Sequence, residues 1–222
     1  MSKATTRSRP AGRGRPPSRG ARSRKVLPAA AGLVGAMAVV AVIIGLAVGS
    51  TDKVSVASQT GEVRVAGAAL TPFAAGQQDP SVGRPAPELR GSTFDGEAIT
   101  IGGGGRPQIV VFVAHWCSHC QAEVPRIVDW LAAGRLHGAG FVAVSTGVDP
   151  SRPNYPPSAW LEREGWTIPT IADDTDGTAG AAYGLTGYPY FVAVKADGTV
   201  AARAGGQLTL EQLQALIGAA QE

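Results

Sequence analysis

A strand-like run joined to a helix-like one through two cysteines constrains this chain more than any other feature. Gln108-Ile109-Val110-Val111-Phe112-Val113-Ala114 is apolar and rich in β-branched residues, the composition of a buried strand. After it come Trp116-Cys117-Ser118-His119-Cys120, and then Val124, Ile127, Val128 and Leu131 at helical spacing, ending near Gly134. The spacing therefore predicts that the cysteines straddle a helix N-terminus. There the helix dipole and the free backbone N–H groups favour an anion, so Cys117 is expected to be the exposed nucleophile. Cys120, one turn inward, is placed to attack a mixed disulfide formed at Cys117. Pro125 lies inside the helix and removes one internal hydrogen bond, which predicts a kink.

These are the chain's only cysteines, and their C-x-x-C spacing separates three chemistries. A structural cross-link over so short a loop removes little entropy from the unfolded chain. A zinc site needs two further thiolate or imidazole ligands. His115, His119 and His137 are the only histidines and there is no second C-x-x-C, so a Cys2His2 site would have to take two of them from the immediate surroundings of the cysteines. The residues favour a reactive dithiol that works without a bound metal or cofactor.

Charge divides the chain sharply. Nine basic residues and no acidic one precede residue 26, whereas the rest carries eleven basic and seventeen acidic residues. The net charge of +3 is thus +9 from the tail and −6 from everything after it. The high isoelectric point belongs to the tail, and it gives no reason to expect nucleic acid on the folded part. Residues 1–25, rich in Pro, Gly, Ser and Arg, bury too little apolar surface to fold and read as a disordered cytoplasmic tail.

Val26 to Val48 holds no charged residue, and as a helix it spans on the order of 30 Å, the thickness of a bilayer's hydrocarbon core. It reads as one transmembrane signal-anchor helix, retained rather than cleaved. The positive-inside rule then keeps the N-terminus cytoplasmic and sends everything beyond Ser50 outside, where a disulfide can persist. Residues 49–81, rich in Ala, Gly, Gln and Thr, read as a tether. Within it Val54-Ser55-Val56 and Val63-Arg64-Val65 are too short for more than transient or edge strands.

Residues 82–222 have the size of one compact domain and an α/β pattern. Strands are expected at Phe141 to Ser145, Pro169 to Ala172, Tyr190 to Val194 and Val200 to Ala204, the last two around an Asp197-Gly198 turn. Helices are expected at Pro157 to Glu164, Thr175 to Tyr183 and Thr209 to Ala219, with Thr209 as a cap.

Three stretches carry a family resemblance. W-C-S-H-C-Q-A-E-V-P, the later G-Y-P-Y-F-V-A-V-K-A-D-G from Gly187, and G-R-P-A-P-E-L from Gly83 followed by F-D-G-E-A-I from Phe94 together resemble the thioredoxin-like proteins. Within them the chain is similar to the membrane-anchored TlpA and ResA type disulfide oxidoreductases of the redoxin group. The resemblance covers roughly Val82 to Ala219. It implies a thioredoxin-like mixed sheet flanked by helices, and an extracytoplasmic thiol-disulfide oxidoreductase. Its implied partners are protein thiol and disulfide substrates and a recycling redox protein in the membrane.

Carried over by residue, Pro189 matches the family's cis-proline, which faces the C-x-x-C and leaves the Tyr188 backbone free to pair with an extended substrate. Glu123 matches a buried acid that relays the proton of Cys120. Trp116 and His119 are expected to tune the thiolate. His119 stands where reducing relatives commonly carry proline, as in protein disulfide isomerases and DsbA-like oxidants. An imidazole beside Cys117 stabilises the reduced form and makes the disulfide more oxidising. Tyr188 stands where a smaller or β-branched residue is more usual. Asp149 to Gly165 resembles a helical insertion, with Trp160 and Trp166 as packing residues.

Two other functions share parts of this pattern. A thiol peroxidase of the redoxin group carries threonine three residues before its attacking cysteine, where this chain has Ala114. A Sco-like Cu(I) chaperone spaces its cysteines one residue wider.

Overall fold

The computed structural model describes residues 59–222. The basic tail and the stretch from Val26 to Val48 lie outside the described residues. Among the described residues no helix is long and apolar enough to cross a membrane.

Two sheets organise the fold. A small antiparallel sheet joins β1 (Arg64–Ala66), β2 (Glu88–Ser92) and β3 (Ala98–Ile101) in that order. A five-stranded sheet has the order β6-β5-β4-β7-β8, with β4 (Gln108–Val113), β5 (Gly140–Ser145), β6 (Thr170–Ala172), β7 (Tyr190–Val194) and β8 (Val200–Gly205). β4, β5 and β6 run parallel, whereas β7 is antiparallel to β4, and β8 to β7. The helices are α1 (Ser118–Ala132), α2 (Pro157–Arg163), α3 (Thr178–Ala182) and α4 (Leu210–Gln221).

β4 sits at the centre because it is apolar on both faces, as a strand covered from both sides must be. Ile109, Val111 and Val113 face a core built with Val124 and Ile127 of α1 and Leu213 and Ile217 of α4. Val110 and Phe112 face the opposite core, built with Leu89 of β2, Ile101 of β3 and Tyr183. The same alternation of period two sends Phe191 to the first core and Tyr190 and Val192 to the second. Full burial of each such side chain contributes roughly 1.5–3 kcal/mol. A charge anywhere along β4 would therefore cost more than any surface feature could offset.

Some sequence expectations change in detail. Residues 59–81, read as the second half of a tether, are packed: Val63, Leu70 and Ser81 are buried. The Leu70 N–H donates to Ala182 O, and the Phe73 N–H to Gly184 O. The apolar residues here have no period because each is a separate anchor on an existing surface. Val63-Arg64-Val65 contributes to β1, an exposed edge strand. The β2–β3 hairpin has no alternating pattern to predict it, and its core contact is the directly opposed pair Leu89 and Ile101.

The helix expected from Thr175 shortens to Thr178–Ala182. Asp174 Oδ1 accepts from the N–H groups of Asp176 and Thr178, and Gly177 adopts φ +72°, so a side-chain-closed turn displaces the first helical turn. α1 continues across Pro125. Thr209 caps α4 through a reciprocal pair with Gln212.

Candidate active site

The dithiol stands where β4 gives way to α1. Cys117 is the N-cap residue, with extended backbone (φ −76°, ψ 119°), and its side chain makes no capping bond. It is half-buried, whereas Cys120 is fully buried, and both are free thiols. The difference follows from helix geometry: three residues carry the chain from the solvent-facing tip of α1 onto its core-facing side. Cys120 Sγ accepts from the Ala114 N–H at 3.5 Å. Burial is the main reason its thiol is pushed far up in pKa, reinforced by Cys117 and by Glu123.

Pro189 lies across from this tip, and the Tyr188–Pro189 bond is cis. The Cys117 thiol donates to Tyr188 O at 3.7 Å. Among the described residues the Tyr188 N–H has no acceptor, so one edge of this loop is open to an incoming backbone. The Tyr188 ring meets Trp116 edge-on at 5.7 Å. Trp116 is fixed by its indole N–H donating to Gly147 O at 2.7 Å, with the Arg152 guanidinium 4.5 Å above its ring. Trp116 and Tyr188 thus form a wall beside Cys117.

Glu123 is fully buried. Its carboxylate accepts from the Leu208 N–H at 3.1 Å and from Arg126 at 3.0 Å. Desolvation raises its pKa, opposed by these two partners. A buried carboxyl three residues beyond Cys120 shares its helix face and couples to its charge.

His119 departs from expectation. It is exposed, and its Nδ1 pairs with Gln207 Oε1 at 3.1 Å, so its partner is a side chain beyond β8 rather than the Cys117 thiol.

His115 is the residue that sequence reasoning passed over. It is fully buried beside the motif. Nδ1–H donates to Pro153 O at 2.7 Å and Nε2 accepts from the Asp149 N–H at 3.2 Å, which fixes one neutral tautomer. Burial lowers its pKa, against the pull of Pro153 and Asp149. Its carbonyl accepts from Gln121 and Asn154. One buried imidazole therefore pins the loop from Asp149 to Asn154 against the residues that carry Trp116 and Cys117. Its only sequence signal was a polar residue at the end of an apolar strand.

The insertion holds two tryptophans of different standing. Trp160 is core. Trp166 is partly exposed, donates to Thr170 Oγ1, and lines a cleft of about 570 Å³ with Phe94 and Leu161. That cleft contains none of the dithiol residues. Among the described residues no cluster of His, Cys, Asp and Glu is arranged to hold a metal ion.

A dithiol at a helix N-terminus, facing a cis-proline on a central mixed sheet, defines a thioredoxin-like protein. The chain belongs to the Redoxin family, whose pattern matches residues 81–217. A curated relative, the soluble secreted antigen MPT53 of Mycobacterium tuberculosis, is 30% identical over 111 residues, half of this chain and 58% of the relative. The chain thus spans a little over half the length of the curated relatives it matches.

Among solved structures, a thioredoxin family thiol:disulfide interchange protein of Chlorobium tepidum is 25% identical. It aligns with a TM-score of 0.50 over 61% of this chain and 94% of its own. A second Chlorobium tepidum structure, described as a thiol:disulfide interchange protein DsbE, aligns with a TM-score of 0.53 at 21% identity, over 63% of this chain and 96% of its own. The latter likeness is one of fold.

Proposed function

We propose that this chain is an extracytoplasmic thiol-disulfide oxidoreductase acting on protein substrates. The observation that carries the reading is the placement of half-buried Cys117 at the tip of α1, 3.7 Å from the carbonyl of the cis peptide Tyr188–Pro189, with Cys120 buried behind it. Family membership supports the same chemistry.

In the reducing direction the Cys117 thiolate attacks one sulfur of a substrate disulfide. That bond breaks, a Cys117–substrate disulfide forms, and the first substrate thiolate leaves. Cys120 then loses its proton and attacks Cys117 Sγ, which forms the Cys117–Cys120 disulfide and releases the second substrate thiolate. Two electrons and two protons pass from the dithiol to the substrate, and the reverse sequence oxidises a substrate dithiol. The direction taken depends on the potentials of the couple and of its membrane redox partner.

Burial holds the Cys120 thiol protonated, so its attack needs an acceptor. Glu123, buried with its pKa raised, is matched to take that proton. The open edge at Tyr188 receives the substrate as an added strand. A turbidity assay of insulin disulfide reduction tests the activity: the wild type is expected to accelerate it, and Cys117→Ser to abolish the acceleration.

For location, the charge step across Val26 to Val48 supports an N-terminus in the cytoplasm and a catalytic domain outside. A reporter active only outside the cytoplasm, fused after Glu222, is expected to work while the chain resists carbonate extraction. Release of a shortened soluble form contradicts the retained anchor.

A further inference from the structure

We infer that a pocket lined by Tyr188 and walled by Phe73 selects substrates with an apolar side chain next to the reacting cysteine. The inference rests on the oxidoreductase reading and names the substrate class of that site.

The pocket has a volume of about 200 Å³, below the roughly 300–1,000 Å³ of sites for whole small molecules. It is scaled to one side chain. Phe73, Tyr188 and Tyr190 supply its aromatic lining, and Ala75, Thr186 and three glycines, 187, 205 and 206, supply the rest. None of its lining residues is charged. The nearby cation, Arg203, lies against the Phe73 ring at 5.4 Å and is paired in bidentate fashion with Asp79. A charged substrate side chain entering here would lose water and gain no counter-ion.

Position supplies the occupant. Tyr188 belongs to the pocket and to the loop that faces Cys117, since its carbonyl is the acceptor of the Cys117 thiol. A peptide laid along the open Tyr188 edge with its sulfur at Cys117 carries a neighbouring residue over Gly206, whose N–H is bound to Pro189 O. That neighbour's side chain is the group the pocket receives.

Phe73 is held for this task by several contacts. Its N–H donates to Gly184 O, its carbonyl accepts from Thr186, and its ring tilts on Tyr190 at 5.5 Å. Gly205 allows the approach, because a Cβ there would lie 3.3 Å from the ring. The wall of the pocket therefore comes from the segment before residue 82, outside the part that carries the family resemblance. Selectivity of this kind can belong to this chain even where the dithiol chemistry is shared.

The test uses the full-length reduced chain in detergent and a set of peptides bearing one mixed disulfide with glutathione. The residue flanking the cysteine is Gly, Leu, Phe, Asp or Lys, placed on each side in turn, and kcat/KM is read for each. Leu and Phe peptides are expected to exceed the Gly peptide by about tenfold on one side only, and Asp and Lys to fall at or below it. In Phe73→Ala the Leu-to-Gly ratio is expected to drop below about threefold.

Gly187→Leu gives a second arm that leaves Phe73 in place. A Cβ at Gly187 meets nothing within 4 Å, so the new side chain can enter the pocket, and the same ratio is expected to collapse. Wild-type exchange at equal rates for Gly, Leu and Phe overturns the pocket and spares the oxidoreductase reading. Failure of the wild type to exchange with any peptide, and with oxidised glutathione, overturns both.

Discussion

Glu123 Oε1 accepts the Leu208 N–H at 3.1 Å, tying α1 to the turn before α4 from a fully buried position. The bond explains why an acid is tolerated inside the core: without it the Leu208 N–H would be buried and unpaired. Glu123→Gln keeps an acceptor for Leu208 and removes the titration. Because burial raises the Glu123 pKa, resolution of the mixed disulfide by Cys120 is expected to quicken as pH rises through a value above the ordinary carboxylate range. In Glu123→Gln that step in the pH profile is expected to vanish, with resolution slowed about 10²-fold or more. Stopped-flow resolution of a Cys117 mixed disulfide measures both.

For stability the sign is the reverse. A carboxyl whose folded pKa is raised favours the folded state while protonated, below its unfolded pKa, and that contribution is lost as pH rises through the folded value. Glu123→Leu, which strands Leu208, is expected to cost about 1–3 kcal/mol at low pH, in urea titrations.

His115 gives the opposite pH dependence. Its pKa is lowered from the ordinary 6.5 by burial, so its contribution is present above that value and is lost as pH falls through the folded pKa. Protonation would also break the bond from the Asp149 N–H to Nε2. The melting temperature is expected to fall on the acid side of pH 6.5, and His115→Gln to flatten that part of the profile. His115→Leu leaves Pro153 O and the Asp149 N–H without their partner at any pH, at a cost of about 1–3 kcal/mol for each group that stays dry.

The ion pair of Arg203 with Asp79 tests whether residues 59–81 belong to the fold. The Arg203 side chain is 1% exposed and that of Asp79 13%. Removing Asp79 strands the deeper charge, so Asp79→Ala is expected to destabilise by about 3–5 kcal/mol. Arg203→Met is expected to cost less, because Asp79 can turn to water. Equal, negligible losses in chemical denaturation would contradict the packed segment.

His119 bears on the direction of exchange. With its ring on Gln207, His119→Ala is expected to shift the dithiol's reduction potential by less than about 30 mV, the equivalent of about 1.4 kcal/mol for two electrons. A glutathione titration reads this directly. A larger shift would show that the imidazole turns to Cys117 in solution.

How much of this was legible in the sequence depended on whether a residue's role was local. β4, α1, the Thr209 cap and the order of the more accessible Cys117 before buried Cys120 follow from periodicity and from one helical turn. Pro189 and Glu123 were located through the resemblance, because a facing loop and a buried acid are facts of the tertiary fold. The partner of His119, 88 positions away at Gln207, had no sequence signal. Nor did the packing of Leu70 and Phe73, single large apolar residues among alanines and glycines with no helical or strand period. His115 was legible only as an oddity, since its two partners lie 34 and 38 positions downstream.

The central claim is a division of labour between the cysteines, and trapping tests it most directly. Full-length Cys120→Ser and Cys117→Ser variants would be expressed in cells, quenched with acid, alkylated, and resolved without reductant before mass spectrometry of the adducts. The account predicts that Cys120→Ser accumulates mixed disulfides with substrate proteins through Cys117, and that Cys117→Ser traps few. Trapping through Cys120 instead, or no adduct in either variant, would contradict it.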